Sequence, residues 1–391
     1  MSMDLVEKID AVIQMDSFRV LNPLERMLSG PFWTDTTEGR ELLQALDSPT
    51  FDLFDEQLIL LGNSSRSVNR SDLANWCLDR ALVVGSQQTV TEINEYINAD
   101  NLEVYEVLLL SSVHIDCEYT FCNGVELKHI SSIPNKYLAN SFARAEYSSP
   151  LPWPTVHSVL IQKFEQQKFH WSNTDSDTKS PRPERPIEIL QDTRRALALA
   201  RPIGYGIHAL ACGTVAPSYY PMMQNVSGWS VFSLKSPPLS PSVLGIELRA
   251  ADQIVEKMSS LKPDLHSKLK ISIDKLNGYS SGADVVESAI DLRICLESIF
   301  LNDGNKDQLR HTLALRAARF LGEGEGISER SRILKVIKNA YDLTSTMVHS
   351  GERPNKDLRP LDEAAQLAKM AILKILDQNE INWQEVELGN A

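Results

Sequence analysis

Tyr341-Asp342-Leu343-Thr344-Ser345-Thr346-Met347-Val348-His349-Ser350-Gly351 closes a run of amphipathic helical sequence that starts near Leu244. Just upstream, Ile333, Val336, Ile337, Ala340, Leu343 and Met347 recur at three- and four-residue steps, which puts them on one face of a helix reaching about His349. Ser328 is the expected N-cap of that helix, with Glu329 favourable in its first turn. The same period runs backwards through the chain. Val285, Ala289, Leu292, Leu296 and Ile299 form a stripe between Ala283 and Leu301, flanked by an Arg293/Glu297 pair four residues apart. Leu309, Leu313, Ala317 and Phe320 mark a helix from about Asp307 to Leu321, ended by the Gly322 to Gly326 run. A last helix is expected from near Pro360, carrying Leu367, Met370, Ala371, Ile375 and Leu376. Residues 244–380 therefore read as an all-α bundle of ordinary domain size.

The preceding part has a different grammar. Ser71 to Leu78 looks like a helix entered through a polar cap. Between Leu102 and Ile130 the period becomes two, with Val113, Ile115, Cys117, Tyr119 and Phe121 on one face of an expected strand. A three-residue turn of Cys122, Asn123 and Gly124 keeps apolar against apolar by pairing Phe121 with Val125 and Tyr119 with Leu127. Residues 155–168 predict a further strand, Pro186 to Leu199 a helix, and Gly204 to Thr214 an apolar β-prone segment. Polar, breaker-rich sequence suggests a sub-boundary near 172–185, and three prolines in five residues at Pro237 to Pro241 place the main boundary there. The expectation is an α+β chain: a mixed α/β region over 1–240, then the helical bundle.

Composition narrows the setting. A length of 391 residues with 42% hydrophobic positions supplies more than one core. A net charge of −13 argues against phosphate binding by the chain as a whole. Yet residues 301–360 hold eleven Lys and Arg against eight Asp and Glu, a local +3. The acidic N-terminus lacks a secretory pattern, and Ala196 to Ala216 is broken by Arg201, Pro202 and His208, so neither export nor a membrane span is expected. Five scattered cysteines fit free thiols in a reducing cytoplasm. Strand alternation sets His114 and Cys117 on opposite faces, against a zinc site with Cys122 and His129. The glycine run carries Glu323 and Glu325 and no following lysine, against a phosphate loop. Tyr219, Tyr220, Trp229 and Phe232 lack interleaved cations and read as packing residues. No metal or cofactor is expected.

Leu292 to Phe300, Leu313 to Leu321, and Ile337 to Leu343 leading into Val348-His349 together resemble the Apea-like branch of the HEPN superfamily. The resemblance covers about residues 284–352, roughly a sixth of the chain. It implies a bundle that forms a homodimer and, in active members, a metal-independent ribonuclease of prokaryotic defence or toxin systems. Such members place an arginine four to six residues ahead of a histidine. The imidazole moves protons to and from ribose and leaving oxygens, and the guanidinium stabilises charge on the phosphate. Carried over, the histidine is His349, and the arginine positions are Asp342, Leu343 and Thr344, none of them arginine. The register with Thr344 at the arginine position and Ser345 at the following serine is closest, and Ser350 stands where the family has glycine. Losing such an arginine costs roughly 10³-fold or more. Supporting cations are expected from Arg316, Arg319, Arg353 or an arginine of a partner copy, with Glu297 alongside. Three readings stand: an RNA-cleaving protein centred on His349, a catalytically silent module binding RNA, a nucleotide or a protein as a dimeric scaffold, and a bundle that is only an oligomerisation domain.

Overall fold

The computed structural model describes residues 2–19, 32–55, 57–111, 113–134, 156–171, 184–223, 229–232, 242–282, 284–301 and 308–389. Both breaker-rich segments, 172–183 and 233–241, lie outside the described residues. The fold is α+β, with helices gathered toward the C-terminus.

Among the described residues, five α-helices precede the large sheet: α1 (Ser2–Ile13), α2 (Asp16–Arg19), α3 (Thr37–Leu46), α4 (Arg70–Val84) and α5 (Ser86–Asn98). Between α3 and α4 lies a hairpin of β1 (Gln57–Leu61) and β2 (Ser64–Val68). The six-stranded antiparallel sheet is built on β3 (Asn101–Ser111), with β4 (Tyr119–Thr120), β5 (Glu126–His129), β6 (Val156–Gln167), β8 (His208–Val215) and β9 (Ser230–Val231). Its order is β4-β5-β6-β3-β8-β9, while the short β7 (His170–Trp171) adds to β1 in a second sheet, β2-β1-β7. Gln166 joins the two sheets, its amide oxygen accepting from Gly62 N–H at 2.8 Å and its nitrogen donating to the Leu60 carbonyl at 3.0 Å.

Helix α6 (Ile187–Ala200) lies on one face of the large sheet and leads, through β8, to α7 (Gly245–Ser259). The bundle continues as α8 (Pro263–Ser281), α9 (Val285–Phe300), α10 (Leu309–Leu321), α11 (Ile327–Ser350), α12 (Arg359–Gln378) and α13 (Trp383–Leu388). One apolar core runs without a break from Leu108, Leu127 and Leu160 of the sheet, through Leu190 and Leu197 of α6, into the bundle. A second core holds α1 to α5 against β1 and the start of β3. The continuous core gives sheet and bundle a shared hydrophobic driving force.

The hairpin forms as the apolar pairing demands. Tyr119 faces Leu127, Phe121 N–H donates to the Val125 carbonyl at 2.8 Å, and Gly124 takes φ +82°. Its tip is docked: Asp252 of α7 accepts from Tyr119 Oη at 3.1 Å and Cys122 N–H at 2.7 Å, and Asn123 donates to Thr193 of α6 at 3.0 Å. The expected strand over 113–118 does not form. Val113 and Ile115 are buried as their alternation implied, but the chain leaves the sheet after Ser111, and Ile115 bridges Val243 ahead of α7 instead. Ser328 does not cap α11, which starts two residues earlier than that cap implies, with Gly326 as its N-cap and no side-chain cap bond.

The most deeply buried carboxylate of the sheet is paired. Glu106 of β3 is fully buried and accepts from both Arg185 Nε, at 2.9 Å, and Arg185 Nη2, with Thr214 Oγ1 donating at 2.8 Å. Removing one partner strands the other in a low-dielectric site, so Glu106→Ala should lower unfolding free energy by about 3–5 kcal/mol in a denaturant titration. Burial pushes the imidazoles of His170 and His208 down to about 4. Unfolded histidine titrates near pH ~6.5, so the unfolded chain binds more protons between these values. Their stabilising contribution is whole above pH 6.5 and lost as pH falls to about 4. A pH series of melting curves should show this slope, and His170→Asn should make it shallower.

Candidate functional site at the C-terminal end of α11

Helix α11 buries Ile333, Val336, Ile337, Ala340, Tyr341, Leu343, Thr344 and Met347, the stripe expected from the spacing, with Tyr341 and Thr344 added. It stops at Gly351, which adopts φ +68° and donates its N–H to the Met347 carbonyl at 2.9 Å. A left-handed residue there satisfies a carbonyl the helix end would otherwise orphan. His349 sits in this last turn and is exposed.

Thr344 is on the other side. It has no exposed surface, and its Oγ1 donates to the Tyr341 carbonyl at 3.0 Å. Five residues along an α-helix correspond to about 140° of rotation, so a core-facing Thr344 and a solvent-facing His349 are the expected pair. The position that resembles the family arginine thus addresses the bundle core. Of the alternatives, Leu343 is buried, and Asp342 is exposed and ion-paired with Arg310. Ser345 is half-buried.

The proposed supporting residues separate sharply. Arg316 is a core residue: its Nε donates to Glu387 at 2.6 Å, its Nη1 to the Phe300 carbonyl at 2.7 Å, and its guanidinium lies 5.5 Å from the Trp383 ring centre. With the residue only 1% exposed, its charge is spent on holding α13 to the bundle, which corrects its expected place beside His349. Arg319, one turn on, is half-buried, and its Nη1 is buried with no hydrogen-bond partner among the described residues. Arg353 is exposed on the connection between α11 and α12, four residues beyond His349. It is the guanidinium nearest His349 in the chain.

Glu297 belongs to a polar cluster joining α9 to α11. Arg293 Nε donates to Glu297 at 3.0 Å, as the four-residue spacing implied, and Arg293 Nη2 donates to Tyr341 Oη at 3.1 Å. Tyr341 Oη in turn donates to Glu297 at 3.3 Å, beneath an Arg293 guanidinium 4.9 Å from its ring centre. Burial pushes the Tyr341 hydroxyl upward, so it acts as a neutral donor. Two helical turns separate Tyr341 from His349, about 12 Å of rise. The cluster therefore fixes the packing angle of α11 rather than touching what His349 touches. Tyr341 as the third member was missed in the sequence, because nothing in a helical period says which residue of another helix will face it.

Elsewhere, His114 stacks on His157 with ring centres 3.8 Å apart, and Cys117 and Cys122 are exposed thiols. Tyr220 packs on Tyr96 in the second core, and no described helix is long and apolar enough to cross a membrane. Set against protein-family models, curated proteins and solved structures, the chain matches none.

Two substitutions check this placement. Arg316→Ala should lower stability by about 2–3 kcal/mol, since it leaves the Phe300 carbonyl unpaired and frees α13. Thr344→Arg should destabilise by about 3 kcal/mol or more through overpacking and an unpaired buried charge. A Thr344→Arg protein as stable as the wild type, by calorimetry, would contradict the burial argument.

Proposed function

We propose that the bundle is an HEPN-like module that acts on RNA as a homodimer, in a prokaryotic defence or toxin-type role. His349 is its proton-transferring group and Arg353 the cation beside it. The observation carrying this reading is the exposed imidazole at the end of a long, well-packed helix, with an exposed guanidinium following on the same connection. An imidazole accepts or gives a proton near neutral pH without help from a metal. A guanidinium offers phosphate a planar fork of donors. Pairing of two copies would double both groups across one groove, and the surplus of basic residues over 301–360 favours that end of the molecule for a polyanion. Residues 1–240 would serve as the sensing part.

The burial of Thr344 favours a second reading, in which the same surface binds RNA, a nucleotide or a protein partner without cutting. The two part on one assay. Incubated with mixed RNA, with and without the metal chelator EDTA, the first reading predicts cleavage that survives chelation. It also predicts a loss of roughly 10²-fold or more in His349→Ala. Retained, salt-sensitive binding with no cleavage in either protein supports the second, with Arg353→Ala weakening the complex. Equal cleavage by the wild type and His349→Ala removes the first reading.

A further inference from the structure

The chain passes from α6 to β8 through a strap, residues 201–207, laid across the C-terminal end of α8. Asn277 of α8 clamps it. The Asn277 side chain accepts from Ile207 N–H at 2.7 Å and donates to the Ile207 carbonyl at 2.9 Å, while Arg194 Nη1 donates to the same carbonyl at 3.1 Å. Gly206 permits the close approach, since a Cβ there would stand 2.3 Å from Ser281 Oγ.

Beyond the clamp, the strap, the end of α8, the start of α9 and the start of α12 enclose a cleft of about 440 Å³. That volume suits a small molecule. Ile203, Val285, Leu358 and Leu361 give it apolar surface. Ser281 contributes a hydroxyl that hydrogen-bonds His208 Nε2 from β8 and donates to the Asn277 carbonyl at 2.5 Å. Tyr205 and Tyr279 supply aromatic surface, and Tyr279 Oη donates to Asp362 at 2.6 Å.

Charge decides what fits. Among the described residues of the lining, Asp362 is the one formally charged side chain. His208, behind Ser281, is held neutral at physiological pH by its burial and by the nearby Arg194 charge. Cations close by are committed elsewhere: Lys275 pairs with Asp291 at 2.7 Å, and Arg359 pairs with Asp357 at 2.7 Å. Arg201 is buried outside the lining, its guanidinium 5.7 Å from the Tyr205 ring centre. A phosphate or carboxylate entering this cleft would meet Asp362 and no lining counter-charge. A cation would meet a carboxylate and two phenol rings, of which Tyr279 is the one without a guanidinium beside it, and such a set attracts ammonium groups.

We propose that this cleft binds a small organic cation, an amine or quaternary ammonium with a short apolar body, held by Asp362, Tyr205 and Tyr279. Its occupant touches the strap that continues into the sheet and three helices of the bundle at once. Binding therefore ties the N-terminal part to the helical part, and does so independently of His349.

The test is thermal unfolding and titration calorimetry of the full chain with choline and agmatine as cation probes, and AMP, inorganic phosphate and acetate as anions. At saturation at least one cation should raise Tm by about 2 °C or more, the anions should not, and Asp362→Asn should lose the shift. Ile203→Trp, which fills the cleft, should lose it too. His349→Ala should keep it, so the fate of the RNA reading leaves this result unaffected. No shift with either cation, an equal shift in Asp362→Asn, or a larger shift with AMP or phosphate overturns the proposal.

Discussion

Everything at the C-terminal half hangs on the seam between α6 and α8. Asp274 of α8 accepts from Arg195 Nε and Nη2 at 3.1 and 2.9 Å and also bonds Arg194, two guanidiniums from successive residues of α6 meeting one carboxylate. Arg194 then reaches the Ile207 carbonyl that Asn277 also holds. Charge-assisted bonds of this kind have fixed directions, which apolar contact lacks. The continuous core supplies the attraction between sheet and bundle, and the seam sets the orientation at which it is satisfied. The strap, the cleft beneath it and the start of α12 are all positioned from there.

The end of α11 depends on a similar division of labour. Apolar burial places the helix, and the Arg293, Glu297 and Tyr341 cluster fixes it against α9. The consequence for chemistry is rotational. Once Met347, Leu343 and Thr344 face the core, His349 must face water, and the side chain five residues earlier cannot share its solvent-facing side. An arginine at Thr344 would have to leave the core to reach phosphate. On the proposed RNA reading, a guanidinium working with His349 would come from outside this stretch of helix, such as Arg353 on the connection.

What the sequence made legible was local. The stripe of Ala289, Leu292, Leu296 and Ile299, the Arg293/Glu297 spacing and the three-residue turn at Gly124 follow from periods and turn chemistry that neighbouring residues dictate. The α+β division was visible for the same reason. What stayed hidden was pairing at long range. Nothing near Arg316 announces Glu387 and Trp383, so a basic residue in a helix read as a nuclease-side cation when it is a core strut. The alternation of Val113 and Ile115 marked burial correctly but not a strand, because an apolar period of two also fits irregular chain laid along a core. Ser281 and His208 are 73 residues apart and meet only because the Asn277 clamp brings the strap onto α8.

The central claim is that RNA is engaged at the exposed end of α11. Photo-cross-linking of the purified chain to 4-thiouridine-substituted RNA, followed by peptide mapping, tests it most directly. Adducts concentrated between Ser345 and Arg359, and diminished by Arg353→Ala, are the predicted result. Adducts confined to residues 1–240, or none at low salt, would contradict it.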